Sequence, residues 1–267
     1  VTEQDVIGKL TLLGSGNSAG VPSLFGHWGA CDPAEPKNRR RRACAIITQG
    51  DKVLVIDTGP DFRDQINDAG LTRIDAVFYT HYHGDHVHGI DELRYIAQSG
   101  GRLDVYGNAS TLDNLQTRFS YLFAGSPDGL YQPILKSHMI GEAQYGKPTT
   151  IGGIACVPFE QDHGTCLSTG LRVGDLAYSV DLVNLDAAGI EVIRGVRTWV
   201  VDGGAYHHEN PLVHAGLPRL YALNEKIGAR TVVVVNLSAK MDYRTLCAEL
   251  RPGFVPGYDG MEIPIHG

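Results

Sequence analysis

Four side chains able to bind a metal ion fall within six residues in the segment Thr80-His81-Tyr82-His83-Gly84-Asp85-His86. In an extended chain alternate residues face the same way, so His81, His83 and Asp85 project together. Gly84 lets the backbone turn, and His86 then opens the segment that follows. Mixed imidazole and carboxylate ligands suit Zn²⁺, Mn²⁺ or Fe²⁺ rather than Ca²⁺. The spacing serves two adjacent ions, with His81 and His83 on one and Asp85 and His86 on the other.

Such a cluster needs a rigid edge to hold it, and the sequence offers one. Short apolar runs rich in β-branched residues read as buried strands at 53–57, 76–81, 154–159, 176–181, 198–202 and 231–236. Five of them close on Asp57, His81, Asp181, Asp202 and Asn236, and the run 154–159 leads to His163. These polar strand ends define one functional edge. Helices are expected over 60–69, 87–99, 110–119, 217–227 and 241–250. Strands alternating with helices in an uninterrupted chain predict a single layered α/β domain over 1–267. The strand 9–13 runs into Gly14-Ser15-Gly16, but Gly20 and Pro22 spoil the third glycine and helix that a dinucleotide fingerprint requires.

Composition narrows the partners. The chain has 267 residues, 43% apolar and 20% charged, with net charge −7. Five of its 23 basic residues are Lys37 and Arg39–Arg42, which leaves the remainder strongly acidic and a poor match for a long polyanion such as nucleic acid. The arginine run reads either as a solvated loop or as a phosphate clamp and brace at the active-site edge. No apolar run is long enough to span a bilayer, and the acidic start lacks a secretory h-region. Five scattered cysteines without a C-x-x-C pair fit a reducing cytoplasm. Cys44 and Cys156 read as packed thiols, and His138 and His266 as isolated surface residues.

Further segments extend the histidine motif nearly end to end. Leu13-Gly14-Ser15-Gly16 leads to Gly20-Val21-Pro22 and Trp28-Gly29-Ala30-Cys31-Asp32-Pro33. Ile56-Asp57-Thr58-Gly59-Pro60-Asp61-Phe62-Arg63 precedes the motif, and Val87-His88-Gly89-Ile90-Asp91-Glu92-Leu93-Arg94 follows it. Met241-Asp242-Tyr243-Arg244 and Tyr258-Asp259-Gly260-Met261-Glu262-Ile263 come last. Together these resemble the metallo-β-lactamase superfamily, and more narrowly its PhnP-like branch, which contains the phosphodiesterase of the carbon–phosphorus lyase pathway. The resemblance implies an α/β fold, a four-layer αββα sandwich with a metal site at one edge of paired sheets. It makes His163 the third histidine of the first metal, Asp181 the carboxylate bridging both metals, and Asp57 the residue that orients the motif.

The sequence then departs from that pattern. A final metal-binding histidine is expected in a segment resembling T-H-L-S-H, yet the chain reads Val235-Asn236-Leu237-Ser238-Ala239. Asn236 takes the ligand position, and its neutral amide oxygen predicts a weaker second site. Ala239 takes a position that closes a structural zinc in the relative, so no structural zinc is expected here. The resemblance also places a proton-donating histidine after the strand ending at Asp202. His208 and His207 rank first, with His214 behind them. Asp85 is the other candidate catalytic group.

The expected activity is hydrolysis of a small, anionic, possibly cyclic phosphodiester by a hydroxide held on Zn²⁺ or Mn²⁺, one or two ions. Other hydrolases of this fold (thioesterase, lactonase, tRNA 3′-processing) and a weakened metal-binding accessory protein are the alternatives. A homodimer is implied by the resemblance alone.

Overall fold

The computed structural model describes residues 5–97, 101–208 and 212–267. The run Thr231–Val235 shows how its layers arise. Successive side chains leave a strand on opposite faces. Val233 and Val235 accordingly enter one apolar cluster, and Val232 and Val234 enter another. A strand apolar on both faces must be covered on both.

The first sheet holds β1 (Val6–Gly14), β2 (Cys44–Gln49), β3 (Lys52–Ile56), β4 (Ala76–Phe78), β5 (Leu103–Gly107) and β6 (Leu135–Met139). The second holds β7 (Thr149–Ile151), β8 (Ile154–Asp162), β9 (Leu167–Val173), β10 (Leu176–Ser179), β11 (Thr198–Asp202), β12 (Thr231–Val235) and β13 (Phe254–Pro256). A last strand, β14 (Glu262–His266), returns to the first sheet beside β1. Strands β3 to β6 are parallel, as are β10 to β13, while the rest of each sheet is antiparallel.

Helices α1 (Phe62–Asp68), α2 (Gly84–Val87), α3 (Leu93–Ala97), α4 (Ala109–Arg118) and α5 (Ser120–Ala124) pack on the outer face of the first sheet. Helices α6 (Ala187–Ile193), α7 (Leu217–Ile227) and α8 (Tyr243–Glu249) cover the second. One apolar cluster lies between the sheets and one lies under each helical layer. This is the αββα sandwich that the motifs implied.

The expected helix over 87–99 is broken instead. Chain from Thr58 passes against it, with Gly89 N–H donating to Thr58 O at 2.8 Å and Thr58 N–H to His86 O at 2.8 Å. A Cβ on Gly59 would meet Asp85 O at 2.2 Å, and one on Gly89 would meet Gly59 O at 2.2 Å. The close approach therefore needs both glycines, and it replaces one long helix with α2, a 3₁₀ turn at Ile90–Glu92 and α3. Residues 98 and 99 of the expected helix lie outside the described residues.

Candidate metal centre

The C-terminal ends of β3, β10 and β12 meet, and the chain turns sharply on a polar residue one or two positions past each. Asp57, Asp181 and Asn236 have positive φ of 63°, 49° and 63°. Such left-handed backbone costs a non-glycine residue about 1–3 kcal/mol and persists only where surroundings enforce it.

Around Asp181 the first set of candidate ligands is assembled. His81 Nε2 and His163 Nε2 each lie 3.4 Å from Asp181 Oδ2. His163 Nε2 is also 3.2 Å from His83 Nδ1. Tetrahedral zinc with bonds of ~2.0–2.1 Å has ligand–ligand edges of about 3.3–3.4 Å, so these atoms already outline such a site. Burial pushes His83 down and His163 down to about 3, with neighbouring imidazoles adding to the effect and Asp181 opposing it. Neutral imidazoles are what a metal requires. Burial also disfavours the Asp181 anion, but its close approach to His86 and His81 holds the carboxyl well below the usual range. The buried His81 Nε2 has no hydrogen-bond partner, and neither does the buried His86 Nε2. Two orphaned nitrogens aimed at one carboxylate oxygen fit a cation, and the residues present can hold one.

Ring orientation is set from behind by Asp57. Its carboxylate accepts from Thr80 N–H and Thr80 Oγ1–H, both at 2.8 Å, and from His86 Nδ1–H at 2.7 Å. Since Thr80 gives its hydroxyl proton to Asp57, its oxygen is left to accept from His81 Nδ1–H at 3.1 Å. Both rings thereby present Nε2 to the cluster. Thr80 escaped the sequence reading, although it stands immediately before the first histidine.

The second set is thinner. His86 Nε2 lies 3.3 Å from Asp181 Oδ2 and 3.5 Å from Asp85 Oδ2. Burial acts against a His86 cation, but Asp181 and Asp57 outweigh it and raise the group well above its ordinary value. Asn236, expected as a ligand through its oxygen, instead donates Nδ2–H to Asp181 Oδ1 at 2.9 Å. The same nitrogen is 3.0 Å from His214 Nδ1.

His214, not His208 or His207, reaches the cluster. Its Nδ1–H donates to the buried Asp202 Oδ2 at 2.8 Å, and its ring centroid is 5.1 Å from that of His163. His207 is 62% exposed and pairs with Glu249, and His208 is exposed. The cause is a pinched loop. Ala205 N–H bonds Ala215 O and Leu217 N–H bonds Tyr206 O, so the chain leaves and returns at one point, with His207 outside and His214 inside. Burial lowers the His214 cation, but the bond and charge of Asp202 prevail and raise it to about 9. Asp202 also accepts from Leu182 N–H at 3.1 Å and Gly204 N–H at 2.7 Å, a bracing role that strand-end position alone announced.

The arginine run proves to be a brace. Arg41 and Arg42 pair with Asp68 and Asp61, and Arg39 lies over the Trp28 ring at 5.2 Å. Arg40 is 1% exposed and donates to Ser238 O at 3.2 Å and Asn38 Oδ1 at 3.1 Å. Cys44 and Cys156 are buried as expected. His266 corrects the surface reading: it is buried against Asp175 at 3.0 Å, and His138 pairs with Asp104 at 2.7 Å. No helix among the described residues is long and apolar enough to cross a membrane.

Known proteins resemble this chain. A β-lactamase superfamily domain matches residues 52–235. A Porphyromonas gingivalis protein named octanoyltransferase is 33% identical over 257 residues, covering 95% of this chain and 51% of that protein. This chain thus spans about half of that relative's length. Ribonuclease Z of Salinibacter ruber is 36% identical over 62 residues, covering 22% of this chain and 19% of its own. A solved diphosphatase of the PhnP family superposes with TM-score 0.85 at 28% identity, covering 97% of this chain and 98% of that chain. The chain belongs to the metallo-β-lactamase superfamily and resembles its PhnP-like members.

Proposed function

We propose that this chain is a metal-dependent phosphodiesterase acting on a small anionic phosphodiester. The observation that carries the reading is the convergence of His81, His83, His163 and Asp181 beside the Asp202–His214 pair. Relatives named as a diphosphatase and as ribonuclease Z support chemistry at phosphorus.

The first four residues would hold Zn²⁺ or Mn²⁺, with Asp85 and His86 offering a weaker second position. A bound cation there supplies Lewis acidity, polarising a phosphoryl oxygen and lowering the pKa of water. His214 has Nδ1–H committed to Asp202, which leaves Nε2–H as the proton to give to a departing alkoxide. Its elevated pKa keeps that proton in place at neutral pH. Asp202 holds the ring and stabilises its cation, while Asp85, partly open to the cleft, orients the attacking water.

The test is hydrolysis of a bis-aryl phosphodiester by protein loaded with Mn²⁺ or Zn²⁺, against chelated protein. Turnover only in the loaded form is expected. Loaded protein that leaves the diester intact overturns the reading. The relative named octanoyltransferase favours a second reading, hydrolysis of a small acyl ester or thioester at the same centre. An octanoyl aryl ester cleaved in preference to the diester would select it.

A further inference from the structure

Asp181 is the residue on which both sets of ligands depend, and its left-handed backbone must be enforced by something other than the ligands themselves. The enforcing groups lie beneath it. Ser168 Oγ–H donates to Asp181 O at 2.8 Å. Gln161 Nε2 donates to Val180 O at 3.0 Å and to Ser168 Oγ at 2.9 Å. Gln161 and Ser168 face each other across β8 and β9 and are 1% and 0% exposed. Two consecutive carbonyls, those of Val180 and Asp181, are therefore held by one buried side-chain pair.

The pair is tied along the chain to the rest of the centre on two sides. Gln161 stands two residues before His163 on the same run of chain. The residue after Ser168, Thr169, donates its N–H to Thr80 O at 2.9 Å, across from the second sheet to the first. That carbonyl immediately precedes His81. Buried polar groups are costly unless bonded, so the three bonds of the pair are strongly favoured, while Gln161 Oε1 is left buried without a partner.

We propose that Gln161 and Ser168 are positioning residues that set the metal affinity of the centre by fixing Asp181 relative to His81 and His163. The proposal rests on the metal-binding reading above. Outer partners of ligands typically contribute 10–100-fold in affinity, and that is the size expected here.

The experiment is titration of chelated protein with Co²⁺, following its visible absorption, for the parent, Ser168→Ala, Ser168→Thr and Gln161→Met. Circular dichroism of each metal-free form reports folding. Ser168→Ala and Gln161→Met should weaken Co²⁺ binding by about 10–100-fold and alter the band shape, while Ser168→Thr, which keeps the hydroxyl, retains parental affinity. Folded Ser168→Ala or Gln161→Met with parental affinity and spectrum overturns the proposal and leaves the metal reading standing. A parent that takes up no Co²⁺ overturns both. Should Ser168→Ala fail to fold, the Gln161→Met and Ser168→Thr titrations decide by the same criteria.

Discussion

The two poles of the centre are built from one short motif and one shared carboxylate, yet they differ in kind. The pole at His81, His83 and His163 offers three imidazoles, and burial pushes the cations of His83 and His163 down. The pole at Asp85 and His86 offers one imidazole, raised toward its cation, and an amide that has turned its nitrogen inward. Asn236 gives Asp181 Oδ1 a proton donor where a ligand would leave a cation to face it. Metal centres are decided by lone pairs left unspent, and at the second pole Asp181 Oδ1 spends one on the Asn236 amide.

That contrast can be broken at the strong pole first. His163→Ala should abolish metal-dependent hydrolysis, because the Lewis-acid contribution is several kcal/mol and each 1.36 kcal/mol is tenfold in rate. Metal analysis after dialysis checks it, and full occupancy in that variant would contradict the ligand set. Next in size is His214→Gln, expected to lower kcat by roughly 10²–10⁴-fold with metal content unchanged. His207→Ala, tested alongside, should leave kcat at the parental value, since its ring faces Glu249. An equal loss in both variants would remove His214 from its role.

The support behind the rings comes third. Asp57→Asn replaces one of the two oxygens that fix the His86 ring directly and the His81 ring through Thr80, and a ~10–100-fold weaker metal affinity is expected by competition with a chelator. The gentlest change sharpens the comparison. Asn236→His should add a second equivalent of bound metal, counted by elemental analysis, at little cost in stability. Unchanged stoichiometry would mean that the weak pole lacks more than one ligand.

Much of this architecture can be read from the chain. The helix over 217–227 appears with the same bounds, because Leu217, Leu220, Leu223 and Ile227 are buried at helical spacing and Gly228 ends it in a left-handed turn with φ 77°. The strand 231–235 is equally plain, being apolar on both faces. Strands such as β6, Leu135-Lys136-Ser137-His138-Met139, and β9, with Ser168, Thr169 and Gly170, carry little apolar signal. Their place is settled by pairing with neighbours distant in sequence, which no local pattern records. The same limit explains His214. The resemblance puts His208 and His207 ahead of it, and only the bonds between 205–206 and 215–217 decide which histidine returns to the site.

The left-handed bend at position 236 has a consequence for substitution. Asn, Asp and His are the non-glycine residues that visit that backbone region most readily. The bend therefore restricts the position to a short menu of side chains that differ greatly in what they offer a cation. Asn and His can exchange there without the strand or its loop moving, whereas a β-branched residue is refused on backbone grounds alone. The fold thus keeps a socket whose occupant a single codon can exchange.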